Sequence, residues 1–176
     1  MRLRRQRDQL AVEIVALLGA DVHLTLAGGS ELMLACDIIF AARDARFGDQ
    51  HAQFGLIPGW GGSQRMPRIA GLRRGLDLFF SARWIDAATA EQWGLVNYVV
   101  EPEQLGEAAL AYCSKIATRS RIGMATMKRL ARQGMEGSSE VGLQLEEDLA
   151  SAALLDDDVS EGLAAFEARR TPVFKA

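Results

Sequence analysis

Two short stretches gather the residue types that acid–base chemistry needs. The first is Ala27-Gly28-Gly29-Ser30-Glu31, whose paired glycines lead into Leu-Met-Leu-Ala, a run rich in strong helix formers. That order describes a tight turn opening a short helix over 28–35, with Glu31 in its first turn. Backbone N–H groups at a helix start lack intrahelical partners and favour negative charge. A carboxylate three residues further on shares the small volume beside them. Glu31 is therefore a candidate general acid or base, or else a surface glutamate well placed for the helix dipole. Gly28 reads either as a backbone donor to a developing negative charge or as a plain turn glycine.

The second stretch runs from Gly48 to Gly62 and contains Gly55, Pro58, Gly59 and Gly61. Such a density marks a loop that bends sharply or passes close to something. It carries Asp49, Gln50 and His51: a carboxylate, a water-orienting amide and a ring that can accept a proton. Trp60 interrupts the glycine run, and its bulk suits either lining a pocket or capping the fold from outside. His23, the only other histidine, lies in an apolar segment that matches no site pattern, and no metal-ligand spacing is present.

Strands and helices must hold these stretches in place. Val12 to Leu18 is a nearly continuous apolar run ended by Gly19 and reads as a buried strand. Asp37 to Ala42 is short and apolar and reads as another. Helices are expected over Ser63–Ile69, Arg73–Phe80 and Thr89–Trp93, followed by a strand over Gly94–Val100 that Pro102 stops. From there the periodicity is helical: Glu103–Thr118, Arg121–Arg132, Ser139–Leu154 and Val159–Arg170, the last with Asp158 as its N-cap. The alternation followed by helices alone predicts an α/β core over 1–102 and a helical region over 103–176.

The bulk numbers exclude several classes. With 176 residues, 49% hydrophobic and 24% charged, the chain has the make-up of a soluble globular domain. A formal net charge of -3 gives no field for nucleic acid, and the cluster Arg2, Arg4, Arg5 and Arg7 reads as a solvated start. The apolar stretch from Ala11 to Leu26 is interrupted by Glu13 and Asp21 and is too short to span a bilayer. Two cysteines, Cys36 and Cys113, in apolar settings indicate neither a disulfide framework nor a metal site, and a cytoplasmic compartment is expected. No Gly-Lys-Ser/Thr and no G-x-G-x-x-G opening a βαβ unit supports a nucleotide-binding loop.

The glycine turn and the strand after it, Ala27-Gly28-Gly29-Ser30-Glu31-Leu32 with Ala35-Cys36-Asp37-Ile38, resemble those of the enoyl-CoA hydratase/isomerase (crotonase) family. So do Phe47-Gly48 and Gly55-Leu56-Ile57-Pro58-Gly59-Trp60-Gly61-Gly62-Ser63-Gln64-Arg65, in the family's order and similar spacing. Ala88, Glu91 and Gly94-Leu95-Val96 resemble a later segment, and Glu161, Gly162, Ala165, Phe166, Arg169, Arg170, Pro172 and Phe174 its C-terminal signature. The resemblance covers 28–176. Upstream it fails: only 27 residues precede Gly28, where the family has a long N-terminal half.

The resemblance implies a crotonase-like ββα spiral core, with the N-terminal half largely missing, and a helical C-terminal trimerisation region. It implies an acyl-CoA thioester as substrate, no separate cofactor, and a homotrimer or dimer of trimers without nucleic-acid or membrane partners. By the same resemblance the Gly28 N–H is one of two donors to the thioester oxygen, Glu31 is the acid/base, and Gly29, Gly59, Trp60 and Phe166 are further oxyanion or substrate contacts. The family's second catalytic Glu falls on His51, which departs from the pattern, with Asp49 in reserve. Phe166, Arg169, Arg170 and Lys175 read either as contacts to the nucleotide end of coenzyme A, as the resemblance implies, or as a solvated basic chain end. Hydration, isomerisation and thioester or β-diketone hydrolysis all remain open to such a site. So does a catalytically impaired, shortened member serving assembly or acyl-CoA binding.

Overall fold

The computed structural model describes residues 14–17 and 24–174. The arginine cluster, His23 and Lys175 lie outside the described residues. The chain forms two compact units, one running to Tyr112 and the other starting at Cys113.

The first unit holds two three-stranded sheets. One is wholly parallel, in the order β1 (Ile14–Leu17), β3 (Ile38–Ala42), β6 (Tyr98–Val100). The other has the order β2 (Leu24–Leu26), β4 (Arg46–Gly48), β5 (Trp84–Asp86), with β2 and β4 parallel and β5 antiparallel. The central strand β3 explains its own sequence. Ile39 and Ala41 enter one buried cluster with Met33, Phe47, Met66 and Leu78, while Phe40 and Ala42 enter a second with Leu105 and Ala109. A strand buried on both faces needs an unbroken apolar run, and successive side chains alternate between the faces.

Between the strands lie α1 (Gly28–Met33), a 3₁₀ turn over His51–Phe54, α2 (Gly62–Ala70), α3 (Leu72–Ser81) and α4 (Ala87–Gln92), and after β6 comes α5 (Leu105–Ile116). The expected strand over Gly94–Val100 is shorter than its β-branched content suggests. The N–H groups of Leu95 and Val96 donate back to the Ala90 carbonyl at 2.9 and 3.4 Å, which keeps both in the turn that ends α4. Asn97 then grips β3 by its main and side chain: its N–H donates to Ile39 O at 3.0 Å, and its Oδ1 accepts the Ile39 N–H at 2.8 Å.

The second unit continues helical through α6 (Arg121–Gly134), α7 (Ser139–Ala153) and α8 (Asp157–Glu167). The N-cap of α8 is Asp156, not Asp158: the Asp156 side chain accepts the Asp158 N–H at 2.8 Å. Asp158 is instead buried and accepts the Ser120 hydroxyl at 2.6 Å, and Ser120 is itself the N-cap of α6. The segment after α8 is fastened by Glu161, which takes a two-pronged contact from the Arg170 guanidinium at 2.6 and 2.8 Å and the Val173 N–H at 2.8 Å.

Arg170, then the Val173 N–H, hold the Glu161 carboxyl down to about 2 from its ordinary 4.5. Because the folded value is the lower one, the fastening is at full strength above about 4.5 and is lost as the pH falls from there towards about 2. Protection of the Val173 amide, its exchange rate relative to that of an unfolded chain at the same pH, should therefore fall across that window. In a Glu161→Ala variant that protection should be absent at every pH; protection of Val173 that ignores both acid and the substitution would show that this contact does not hold the segment.

Candidate active site

The site is assembled where β2 passes into α1. Ala27 makes the turn at φ 46°, in the left-handed region that an L-residue enters only at a cost. The sharp bend places the first N–H groups of α1, those of Gly28 and Gly29, beyond the end of β2, with no intrahelical acceptor. Ser30 fixes the helix start: its buried hydroxyl lies 2.7 Å from Thr25 O and 2.8 Å from Gly48 O, joining β2, α1 and β4.

Glu31 is only 3% exposed, a costly place for a carboxyl unless hydrogen-bonded. Its Oε1 accepts the Trp60 N–H at 2.7 Å and the Gly62 N–H at 2.8 Å. Both donors come from the glycine-rich stretch at the start of α2. Oε2 points elsewhere, towards the His51 ring, whose Nε2 lies 3.8 Å away. This distance is too long for a direct hydrogen bond.

His51 opens the 3₁₀ turn and is held by Asp49. The Nδ1 atom lies 2.9 Å from Asp49 Oδ1, and the same oxygen accepts the His51 backbone N–H at 3.1 Å. Asp49 is 2% exposed. Asp49 and His51 are thus in direct contact, and Glu31 faces the far nitrogen of the same ring at 3.8 Å. Gln50, adjacent to both, turns away: its buried amide donates to the Ala82 carbonyl at the end of α3.

The glycine positions differ in what surrounds them. A side chain at Gly28 would meet the Trp60 ring at 2.9 Å, so the indole lies directly on this residue while 76% exposed overall. A side chain at Gly62 would meet Glu31 Cγ at 2.9 Å and Pro58 Cβ at 3.1 Å. Gly29 has only the Thr25 methyl near it, at 3.9 Å, and Gly59 has nothing within 4 Å. Phe166 belongs to the other compact unit, on α8, and is exposed. In that unit Arg170 is engaged by Glu161.

Sequence reasoning missed the parts of the site made by main chain. The N–H groups of Trp60 and Gly62, the Ser30 hydroxyl and the Ala27 turn carried no separate signal. The Gly61-Gly62 pair marked a close approach without saying that Glu31 was what approached. Among the described residues, no group of three or more His, Cys, Asp and Glu is placed to hold a metal ion, and no helix is long and apolar enough to cross a membrane.

The sequence profile of the enoyl-CoA hydratase/isomerase family matches residues 14–176, and the chain belongs to that family. A probable enoyl-CoA hydratase from Rhizobium meliloti (strain 1021) is 39% identical over 159 residues, covering 90% of this chain and 62% of that protein. A mitochondrial methylglutaconyl-CoA hydratase from Mus musculus is 36% identical over 178 residues, covering 99% and 57%. The crystal structure of an enoyl-CoA hydratase from Bacillus anthracis matches with a TM-score of 0.87 at 37% identity, over 92% of this chain and 61% of that one. The fold is therefore the crotonase fold, and the chain spans less than two thirds of the length of these relatives.

Replacing Gly62 with Ala tests how tightly the loop holds Glu31. The added methyl must push the carboxylate off its two donors, so the Trp60 and Gly62 amides should lose much of their protection from hydrogen exchange. Circular dichroism should stay unchanged. Unchanged protection of both amides in Gly62→Ala would mean that the seat of Glu31 does not depend on this glycine.

Proposed function

We propose that this chain processes acyl-CoA thioesters as an enoyl-CoA hydratase or isomerase, with Glu31 as the proton carrier and His51 as its partner across a bound water. One observation carries this reading. Oε1 of Glu31 is fully engaged by two N–H donors, so Oε2 is the atom free to carry a proton, and it faces His51 Nε2 at 3.8 Å.

For hydration, the water held between Oε2 and Nε2 gives one proton to the pair, and its oxygen bonds to the β-carbon of the enoyl group. The double-bond electrons move towards the thioester carbonyl, whose oxygen is stabilised by the Gly28 N–H as one donor. Oε2 then delivers a proton to the α-carbon. Isomerisation needs only a proton taken from one carbon and returned to another, so Oε2 alone suffices.

Acyl contacts come from Gly29, Gly59 and Trp60 in this reading. Exposed Met127, Met135, Leu143, Leu154 and Leu155 on or beside the helices of the second unit support burial against further copies in a homotrimer or pair of trimers. A second reading, a catalytically impaired subunit that binds acyl-CoA or serves assembly, draws on His51 standing where the family pattern has Glu.

Glu31→Gln keeps an oxygen for the Trp60 and Gly62 donors but cannot exchange a proton. Turnover should drop by ~10²–10⁴-fold while calorimetric titration with an acyl-CoA stays close to wild type. An unimpaired variant would remove Glu31 from the chemistry. His51→Glu restores a paired carboxylate and should raise hydration, and His51→Ala should lower it; equal rates for all three proteins would leave this position without a chemical role.

A further inference from the structure

The proposed pairing of Glu31 with His51 leaves a question that the geometry answers: which ring nitrogen of His51 carries the hydrogen. The imidazole has two tautomers, and only the one with its hydrogen on Nδ1 leaves a lone pair on Nε2. An ionised carboxylate accepts hydrogen bonds and donates none. Asp49 Oδ1 is 2.9 Å from Nδ1, and it also accepts the His51 backbone N–H at 3.1 Å, so the ring and its own main chain are pinned by one oxygen. With Asp49 2% exposed and the His51 side chain 12% exposed, water competes little for this contact.

We propose that Asp49 is a positioning residue that locks His51 in the Nδ1–H tautomer and thereby presents the Nε2 lone pair to Oε2 of Glu31. Asp49 does not itself act on the substrate. Two acceptor atoms, Nε2 and a carboxylate oxygen, then face each other at 3.8 Å. Such an arrangement repels unless a hydrogen donor lies between, and a water offers one hydrogen to each. Its lone pairs are left pointing out of the pair, as an attacking oxygen requires. When the water surrenders one proton to Oε2, the proton that Oε2 later gives to the α-carbon, its other hydrogen stays on the Nε2 lone pair, and Asp49 keeps the ring turned to hold it there. The other tautomer would put an N–H towards Oε2 and orient the water the wrong way.

This assignment rests on the Glu31–His51 reading for its purpose but not for its test. In 15N-labelled protein, at a pH where the ring is neutral, the His51 signals, assigned by their loss in His51→Gln, should show hydrogen on Nδ1 and none on Nε2. Asp49→Ala should move the hydrogen predominantly to Nε2, the form a free imidazole side chain prefers. Asp49→Asn keeps an oxygen at the same place, preserving the turn, and should retain Nδ1–H.

In the same series kcat should fall by ~10²-fold or more for Asp49→Ala with KM little changed, and by less for Asp49→Asn. Wild-type protein with its hydrogen on Nε2 overturns the assignment whatever the variants do, as does an Asp49→Ala protein that keeps Nδ1–H. If the tautomers behave as stated but Glu31→Gln leaves turnover intact, the assignment of Asp49 stands and the enzymatic reading falls.

Discussion

The contact on which the site depends is the acceptance of two backbone N–H groups by a single oxygen of Glu31. Gly62 is the first residue of α2, whose N-cap Gly61 offers no side chain to satisfy the helix start. Glu31 supplies what the cap lacks, and negative charge at a helix N-terminus is favourable on its own account. One carboxylate thus ends its own burial problem and the capping problem of α2. The cost falls on the sequence: Gly62 must remain without a side chain, and Trp60 must present its N–H inward while its indole points out.

The same economy recurs at Asp49. In both carboxylates one oxygen is bound by main-chain N–H groups, and that oxygen builds the loop. What remains differs. Glu31 keeps a second oxygen turned towards His51, whereas Asp49 spends the same oxygen on the ring as well. A buried group that must move a proton needs one anchored end and one free end, since an unanchored carboxylate would rotate and a doubly anchored one could not react. Both carboxylates are thus anchored at one oxygen, and they differ in which oxygen meets the His51 ring: the unanchored one of Glu31 and the anchored one of Asp49.

How much of this was legible in the sequence depended on whether side chains or main chain did the work. The short helix with Glu31 in its first turn and the buried strand over 38–42 could be read because composition there is one-sided. Strands β4 and β5 could not, because three residues are too few to show an alternation, and β5 buries only Ile85 well. The strand over 94–100 was over-extended for the opposite reason: Leu95 and Val96 are apolar because they are buried in a turn. Asp158 was expected as the cap of α8, but its contact with Ser120 turns it inward and leaves the capping to Asp156. At the site, residue types located Glu31, Asp49 and His51, but nothing in the sequence order stated that Gln50, lying between two of them, would face away to α3.

Trp60 shows why the glycine loop is best understood as one device. Its N–H holds Glu31, its carbonyl accepts the Arg65 guanidinium at 2.9 Å, and its ring lies on Gly28. Three polar or apolar contacts therefore leave a single residue in three directions, tying the turn before α1 to the turn before α2. A smaller residue could make the two main-chain contacts but not the third. The indole is consequently the only part of Trp60 free to vary without disturbing Glu31, and it is also the part that borders the open side of Gly28. The ring fills the place a side chain at Gly28 would take, so the size of residue 60 governs the space beside this glycine while leaving the seat of the carboxylate untouched.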